Sequence, residues 1–263
     1  LNVQNTTTLY YFCHYHSGMG GQADQNATFG STNFDGSILT KVSANTTAGF
    51  SIVTYTGNAS AGATIGHGLG STPAVVFVKT RSIAFDWYIY NKNIGNTKYL
   101  ELNTTNAEDT RSGAWNNTSP TSTVITLGSD DGANDNAGMV AYCFSEVKGY
   151  SKFGTYTGNG SSDGSFIYTG FKPAWVLVKN AADAHDWHLF DNKRLGINPA
   201  NERLNPNGSG AAVGSDDAFD FLSNGFKNRS GSSARNHNGQ KIFYMAFAQS
   251  PFVASNNVAG TAG

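Results

Sequence analysis

The chain contains 263 residues, of which 39% are hydrophobic and 13% aromatic, so it has enough apolar material for packed cores and is not a disordered polymer. Charged residues make up only 13%, about half the usual share, which excludes a coiled coil built on Glu, Lys and Leu heptads. The formal net charge of −1 excludes a basic surface for nucleic acid, so we predict no nucleic-acid partner.

The apolar runs at residues 74–78 and 174–178 fall far short of the ~20 residues that a membrane-spanning helix needs. We therefore predict no membrane insertion. The chain begins with Leu1 and has no basic and apolar leader, which predicts a processed product or a fragment of a longer protein.

The N-terminal segment, residues 1–45, is predicted to be a strand followed by a connector. Residues 8–15 are rich in aromatic side chains, which is typical of a strand. Residues 18–36 are rich in Gly, which indicates turns. At the other end, residues 255–263 form a small polar tail, which we expect to fray or to lead into a further segment.

Cys13, His16 and Met19 lie close together in the N-terminal segment. They resemble the last strand and loop of a cupredoxin, in which a thiolate, an imidazole and a thioether bind copper. A cupredoxin also needs a second His from an upstream strand, so we expect a remnant of such a module and no metal. The second cysteine, Cys143, is predicted to be a small buried hydrophobic residue.

The next hundred residues contain predicted strands separated by turns. Residues 50–55 alternate apolar and polar side chains, which is typical of a half-buried strand. The run at 73–79 begins with Pro, where no ladder hydrogen bond is lost, and continues with β-branched and aromatic residues. Further strands are predicted at residues 87–90, 99–102, 124–127 and 139–144.

The same blocks recur about 100 residues later, which indicates an internal duplication. Residues 49–51 recur as 149–151, 54–58 as 155–159, 73–79 as 173–179, and Asp86-Trp87 as Asp186-Trp187. Two copies are too few for a solenoid, so we predict tandem globular units. In the second unit, strands are predicted at residues 187–190, 219–222 and 242–247.

These patterns predict an all-β fold of two tandem, jelly-roll-like β-sandwich domains, residues 46–148 and 149–254. No run of ten residues keeps a helical period with caps, so helix is expected to be minor. The link at residues 146–149 is too short to be a flexible linker. We therefore expect the two domains to touch.

The motifs that would indicate an enzyme are not supported by the residues around them. Residues 160–164 match G-x-S-x-G, but they lie between two predicted strands, whereas a nucleophile elbow joins a strand to a helix. A glycosidase needs a pair of carboxylates, and the glutamates show no closely spaced signature; they are Glu101, Glu108, Glu146 and Glu202. We therefore predict that the protein is not an enzyme and has no cofactor.

The acidic turns and histidines show no metal-binding spacing. Residues 128–131 and 214–217 both read Gly-Ser-Asp-Asp, but they are out of register with the duplication, which favours polar turns over a calcium site. The run Asp-Ala-His-Asp at residues 183–186 lacks the spacing of a metal motif, and the six histidines are scattered. We therefore expect no metal in this part of the chain.

Three tryptophans are candidates for contact with a glycan: Trp87, Trp115 and Trp187. Trp87 and Trp187 recur at one position, where they are either sugar-stacking platforms or, as we favour, core residues that close a sandwich. Trp115 lies in the polar segment 111–121 and is predicted to be an exposed aromatic residue.

The repeated blocks also carry a family resemblance, through residues 50–58, 73–79, 102–105, 141–144, 149–160, 168–171, 222–227 and 244–248. They resemble a module of unknown function that recurs in tail-fibre-like and other structural virion proteins of marine tailed bacteriophages. This module often lies next to a concanavalin A-like, or laminin-G-like, sandwich. The resemblance covers essentially the whole chain. It implies where the protein is located and does not imply a reaction.

The resemblance implies a structural or adhesive protein on the surface of a virion, such as a tail fibre, that presents loops to a host. The implied partners are other virion proteins and a host-surface glycan, and a homotrimer is expected by analogy with fibres. Two alternatives remain open: a capsid decoration protein, and a secreted lectin or carbohydrate-active enzyme. The family offers no catalytic residues to carry over.

Overall fold

The computed structural model describes residues 8–12, 20–24, 30–194, 198–214 and 218–250, and in the first two ranges it describes the backbone. The predictions for Cys13, His16, Met19 and the tail at residues 255–263 lie outside the described residues. Among the helices in the described ranges, none is long and apolar enough to cross a membrane.

The described residues form strands and three helices of four residues each. The first half contains β1 (Thr8–Phe12), β2 (Gly20–Asp24), β3 (Ser31–Asn33), β4 (Thr40–Asn45), β5 (Phe50–Thr56), β6 (Thr64–Gly66), β7 (Val75–Thr80), β8 (Tyr88–Asn91), β9 (Lys98–Glu101), β10 (Asp109–Thr110), α1 (Ser112–Trp115), β11 (Val124–Thr126), α2 (Asp131–Asn134) and β12 (Gly138–Phe144). The second half contains β13 (Ser151–Thr157), β14 (Phe166–Tyr168), β15 (Pro173–Asn180), β16 (His188–Asp191), β17 (Phe219–Leu222), β18 (Gly225–Asn228), α3 (Ser233–Asn236) and β19 (Lys241–Ala248). The predicted all-β fold is confirmed.

The first half is built on an eight-stranded antiparallel sheet in the order β10–β9–β8–β7–β12–β5–β4–β3. Its central strand β12 places Ala141 opposite Val53 of β5 and Val78 of β7. The sequence predicted a turn-rich connector over residues 18–36, and the structure places β2 and β3 within that range. Strand β4 pairs with β5 and thereby joins the N-terminal segment to this sheet.

The second half is built on a four-stranded antiparallel sheet in the order β13–β19–β15–β16. The strands β5–β12–β7–β8 have the same order and direction in the first half. Two smaller sheets complete the described core, β6 with β11 in the first half and β14–β18–β17 in the second. Each half therefore has a β-sandwich-like pair of sheets, and the division into two domains at residues 148 and 149 stays a prediction.

Each large sheet has two buried faces because its side chains alternate between two apolar clusters. On β7, Val76 packs in the core of the first half, whereas Val75 packs in a third cluster. On β15, Val178 packs in the core of the second half, whereas Leu177 joins Val75 in that third cluster. The two large sheets therefore pack face to face, with a small sheet on the far side of each.

The third cluster, which we call the central cluster, connects the two halves. It contains Ala74, Val75, Ile89, Ile94 and Leu100 from the first half and Phe153, Leu177, Ala181, Trp187, Phe243 and Met245 from the second. Burial on both faces explains why residues 74–78 and 174–178 are continuous apolar runs without alternation. The expected contact between the halves is thus present in the structure.

Candidate functional site

The outer face of the three-stranded sheet exposes two aromatic side chains, Phe166 and Tyr168, with relative exposures of 45% and 66%. Phe166 lies opposite Lys227 of β18, and Tyr168 lies opposite Gly225. Successive side chains of a strand point to opposite faces, so both rings lie on one face of the sheet. Ile167 between them is buried in the core of the second half.

Strand β17 extends this surface by one further side chain in each row. Asp220 lies opposite Lys227, and Leu222 lies opposite Gly225. We call this surface the aromatic face; its two cross-strand rows are Phe166–Lys227–Asp220 and Tyr168–Gly225–Leu222.

The sequence of these strands explains why they form a sheet and also why its outer face is unusual. The inner row, Ile167–Phe226–Phe221, is buried and anchors the sheet on the core of the second half. In an antiparallel sheet with one buried face, the outward positions are usually polar. Here two of them carry large aromatic rings, and an exposed apolar patch of this kind marks an interaction surface.

Glycines lie beside both rings and shape the aromatic face. A Cβ atom added to Gly225 would lie 2.9 Å from Cζ of Phe166, so this ring closely approaches the glycine backbone. Gly170 has a φ of +83°, which favours glycine, and a Cβ atom there would lie 3.5 Å from Oη of Tyr168. Small residues beside the rings leave broad areas of both aromatic side chains open.

Charged side chains provide hydrogen-bonding groups around the rings. Nζ of Lys227 donates to Oδ1 of Asp163 at 2.6 Å, and Nε of Arg229 lies 3.5 Å from Oδ2 of Asp220. The hydrogen bond and charge of Lys227 lower the pKa of the exposed Asp163 carboxyl below its ordinary value. At neutral pH the face therefore presents rings beside charged donors and acceptors.

This combination is suited to a ligand with an apolar face and a polar rim. The C–H-rich face of a pyranose ring is such a surface, and it gains from contact with an aromatic ring. Its hydroxyl groups both donate and accept hydrogen bonds, which Asp220 and Lys227 can complement. Sugar recognition of this kind requires no net charge on the protein.

A groove at the edge strand β3 is the second surface feature of the described residues. It has a volume of about 440 Å³ and is lined by Ser31, Thr32, Asn33, Phe34, Asp35, Val42, Ala44 and Gly68. Two of its polar residues bind each other, since Nδ2 of Asn33 donates to Oδ2 of Asp35 at 2.9 Å and Oδ1 of Asn33 accepts from the Asp35 amide. Only one aromatic ring, Phe34, lines it, so the aromatic face is the stronger candidate.

A family model described as Domain of unknown function (DUF7483) matches residues 23–251. That range includes the aromatic face, the central cluster and both large sheets. The chain belongs to the DUF7483 family. The comparisons found no matching curated protein and no matching solved structure. The DUF7483 description names no activity, so the geometry of the site is the basis for a functional proposal.

The expectation that Trp115 is exposed in the DUF7483 chain is wrong. Its side chain is 1% exposed and lies in α1, within the core of the first half. Nε1 of Trp115 donates to the carbonyl of Lys98 at 3.1 Å, and its ring meets Tyr90 edge to face. A buried indole whose N–H has a backbone acceptor is a packing element, so Trp115 has no free face for a sugar.

The other two predicted tryptophans of the DUF7483 chain differ in burial. Trp187 is 0% exposed, belongs to the central cluster, and donates from Nε1 to the carbonyl of Glu101 at 2.8 Å. This agrees with the favoured interpretation as a core residue and excludes a platform at that position. Trp87 is half-buried and stacks on Tyr142 with 6.1 Å between ring centroids.

The recurring Asp-Trp pair has a structural role in both halves. The amide of Trp87 donates to Oδ1 of Asn103 at 2.9 Å, and Nδ2 of Asn103 donates to Oδ1 of Asp86 at 2.7 Å. In the second half Asn207 makes the same two contacts, with Trp187 at 2.8 Å and Asp186 at 2.7 Å. The pair therefore fixes the start of β8 and of β16 by binding a distant asparagine.

Two further expectations are met by the structure. The G-x-S-x-G run at residues 160–164 lies between β13 and β14, so it joins two strands as predicted. Cys143 is fully buried, and this burial raises the pKa of its thiol to about 12. Such a thiol stays protonated at neutral pH and behaves as a small core residue.

Sequence reasoning missed the aromatic face because it considered only tryptophans as glycan contacts, although it placed a strand at residues 165–168. A signal was available: Phe166, Ile167 and Tyr168 are all large and apolar, whereas a short strand with one exposed face should alternate. Which of the two faces would be open could not be decided from three apolar residues, since the choice depends on the sheet that covers them.

Proposed function

We propose that this DUF7483 chain is a structural and adhesive protein of a bacteriophage virion, and that it binds a host-surface glycan through the aromatic face. The observation that carries the proposal is the pair of exposed rings, Phe166 and Tyr168, on one face of a rigid sheet. The surface groups around them suit sugar hydroxyls, and the low charge of the chain suits a role that needs no electrostatic steering.

The virion context rests on the resemblance to modules of tail-fibre-like proteins. An all-β architecture with stacked sheets supports it, because such a body holds its outer strands at fixed positions with little ordering cost on binding. Other virion proteins, and further copies of this chain in a homotrimer, are the proposed partners. The proposed location is the surface of the particle.

A glycan array tests the binding proposal with Phe166→Ala and Tyr168→Ala. Each ring contributes stacking area, so we expect each variant to bind the recognised glycan roughly tenfold more weakly, and the double variant to lose binding. Both side chains are exposed, so the melting temperature should stay close to that of the parent chain.

Phe34→Ala is the matched control, because Phe34 is 67% exposed and lies at the groove beside β3, away from the aromatic face. It should leave glycan binding unchanged. Loss of binding in Phe34→Ala but not in the two face variants would move the site to the groove and overturn the proposal. If the intact chain binds no glycan, a capsid decoration protein becomes the better hypothesis.

A further inference from the structure

Three side chains that are scattered in the sequence come together at one end of the second half. Asp183 and His185 lie in the loop between β15 and β16, and His237 directly follows α3. One ligand-type atom from each residue lies within 4.8 Å of the other two. Nε2 of His185 is 4.0 Å from Oδ2 of Asp183.

The run at residues 183–186 lacked the spacing of a metal motif, and the structure shows why that spacing was not informative. The third member of the group comes from a position 52 residues after His185, and the antiparallel pairing of β15 with β19 brings the two loops to one end of the sheet. Metal ligands are commonly supplied by separate elements of a fold, so local spacing can miss them.

A second observation points to a ligand at this position. Nδ1 of His237 is screened from solvent and has no hydrogen-bond partner among the described residues. A buried imidazole nitrogen without a partner is costly, and binding an ion would remove that cost. The lone pair of a neutral imidazole nitrogen is also the donor that transition metals prefer.

Neighbouring side chains hold the group in place. The side chain of Gln240 lies beside Asp183, and its Oε1 accepts from Nδ2 of the fully buried Asn180 at 2.6 Å. Nζ of Lys179 donates to the carbonyl of Asp183 at 3.1 Å and so fixes the loop backbone. Outer partners of this kind orient the ligands of metal sites.

The first half indicates that the fold does not require Asp183 and His185. Its corresponding loop is held in the same way, by Nζ of Lys79 bound to the carbonyl of Ile83 at 3.2 Å. At the duplicated positions it carries Ile83 in place of Asp183 and Phe85 in place of His185. Asp183 and His185 are therefore a property of the second half alone.

We propose that Asp183, His185 and His237 bind one divalent transition-metal ion of the zinc class, which links the β15–β16 loop to the turn after α3. Two imidazoles and one carboxylate match the donor set of zinc, with the fourth position left to water. Calcium and magnesium are disfavoured, because they take six or more ligands that are mostly or entirely oxygen. Tetrahedral zinc places its ligand atoms about 3.4 Å apart. Small side-chain rotations therefore suffice to bring the three ligand-type atoms, which lie within 4.8 Å of one another, to that spacing.

Zinc titration of the full chain by isothermal calorimetry, with metal analysis after dialysis, tests the proposal. We expect one equivalent of zinc, a higher melting temperature with zinc than with a chelator, and visible absorption from a cobalt-substituted sample. His237→Ala and His185→Phe should abolish all three signals. Gln240→Ala should weaken zinc binding by about 10- to 100-fold, because it removes an outer partner.

His185→Phe is chosen because the first half carries Phe85 in the same loop, so this variant is expected to fold. Circular dichroism in chelator checks the fold of each variant. The controls are Asp131→Asn, an exposed carboxylate in α2, and Cys13→Ser, which removes the thiol of the other candidate site. Both should keep the zinc signals. Unchanged zinc binding in the histidine variants, its loss in Cys13→Ser, or no bound zinc in the parent chain would each overturn the proposal.

Discussion

At the scale of single residues, buried asparagines hold the loops of both halves. Nδ2 of Asn134 lies 2.9 Å from the carbonyl of Gly128 and 3.1 Å from that of Ser60. Nδ2 of Asn236 contacts the carbonyls of Ser230 and Ser161 at 2.9 and 2.7 Å. Each amide satisfies loop carbonyls that no strand partner reaches. The large Asn content of the chain thus has a structural use besides covering its surface.

His188 is the residue whose titration should dominate the stability of the protein in mild acid. It is 3% exposed, and its Nδ1 lies 3.3 Å from Nη1 of Arg235. Burial first, and then the positive charges of Arg203, Arg235, His185 and Lys179, lower the pKa of His188 to about 3.

The sign of this effect follows from the protons bound in each state. Between the ordinary pKa of 6.5 and about 3, the unfolded chain binds a proton at His188 and the folded chain does not. The contribution of His188 to the free energy of unfolding should therefore be complete above pH 6.5. Below that pH it should fall by about 1 kcal/mol per pH unit. Urea unfolding at pH 7.5, 6 and 5 measures this slope.

His188→Gln provides the comparison, because it keeps a polar side chain and removes the titrating group. The variant should lose less stability than the parent chain between pH 6.5 and 5. Equal slopes for the two proteins would show that other groups control the acid response. Both proteins are compared with and without chelator, so that a metal ion bound by His185 and His237 does not contribute to the slopes.

At the scale of elements, β15 carries more of the packing than any edge strand because both of its faces are buried. Val176 and Val178 face the core of the second half, and Leu177 faces the central cluster. An edge strand such as β14 has only one buried row and leaves Phe166 and Tyr168 outside. The position of a strand in the stack therefore decides whether its aromatic residues are structural or available for binding.

Leu177→Ala tests the contribution of the central cluster. Leu177 is 3% exposed, so removing its side chain should lower the free energy of unfolding by about 2–5 kcal/mol through lost burial and the cavity left behind. Leu39→Ala is the control, because Leu39 is 58% exposed and should change stability by less than about 0.5 kcal/mol. A loss below about 1 kcal/mol for Leu177→Ala in urea unfolding would contradict the proposed packing role.

At the scale of the whole molecule, polar contacts join the two halves beside the central cluster. Oε2 of Glu146 accepts from Nζ of Lys92 at 2.6 Å, and its Oε1 accepts from the amide of Phe153 at 3.0 Å. Burial acts to raise the pKa of Glu146, but these contacts and the charge of Lys152 lower it overall. The Glu146 carboxylate thus binds groups from both halves. This favours packing of the two halves as one unit.

The shared core predicts that the described body unfolds in one cooperative transition. The central cluster places side chains of both large sheets in one apolar contact, so unfolding one half exposes the buried face of the other. Urea unfolding followed by far-ultraviolet circular dichroism and by tryptophan fluorescence should give coincident curves. Separated midpoints would show that the halves are independent domains.

Much of the fold was predictable because it depends on local patterns. Alternation and β-branched runs located the strands at residues 50–55, 139–144 and 242–247, and turn residues separated them. The candidate sites were harder to predict from the sequence. Trp115 lies in a segment of polar composition. Its indole is nevertheless buried in the core, where Nε1 donates to the backbone carbonyl of Lys98 on β9. The aromatic face depends on which side of β14 the second sheet covers.

The sequence by itself determined an all-β chain with low charge and blocks repeated at one spacing, since strand propensity, turn chemistry and self-similarity are properties of short segments. Only the tertiary structure decided which aromatic rings stay exposed, that the large sheets pack face to face, and that Asp183, His185 and His237 lie together. Those features join residues far apart in the chain, and such distances are set by sheet stacking and strand pairing.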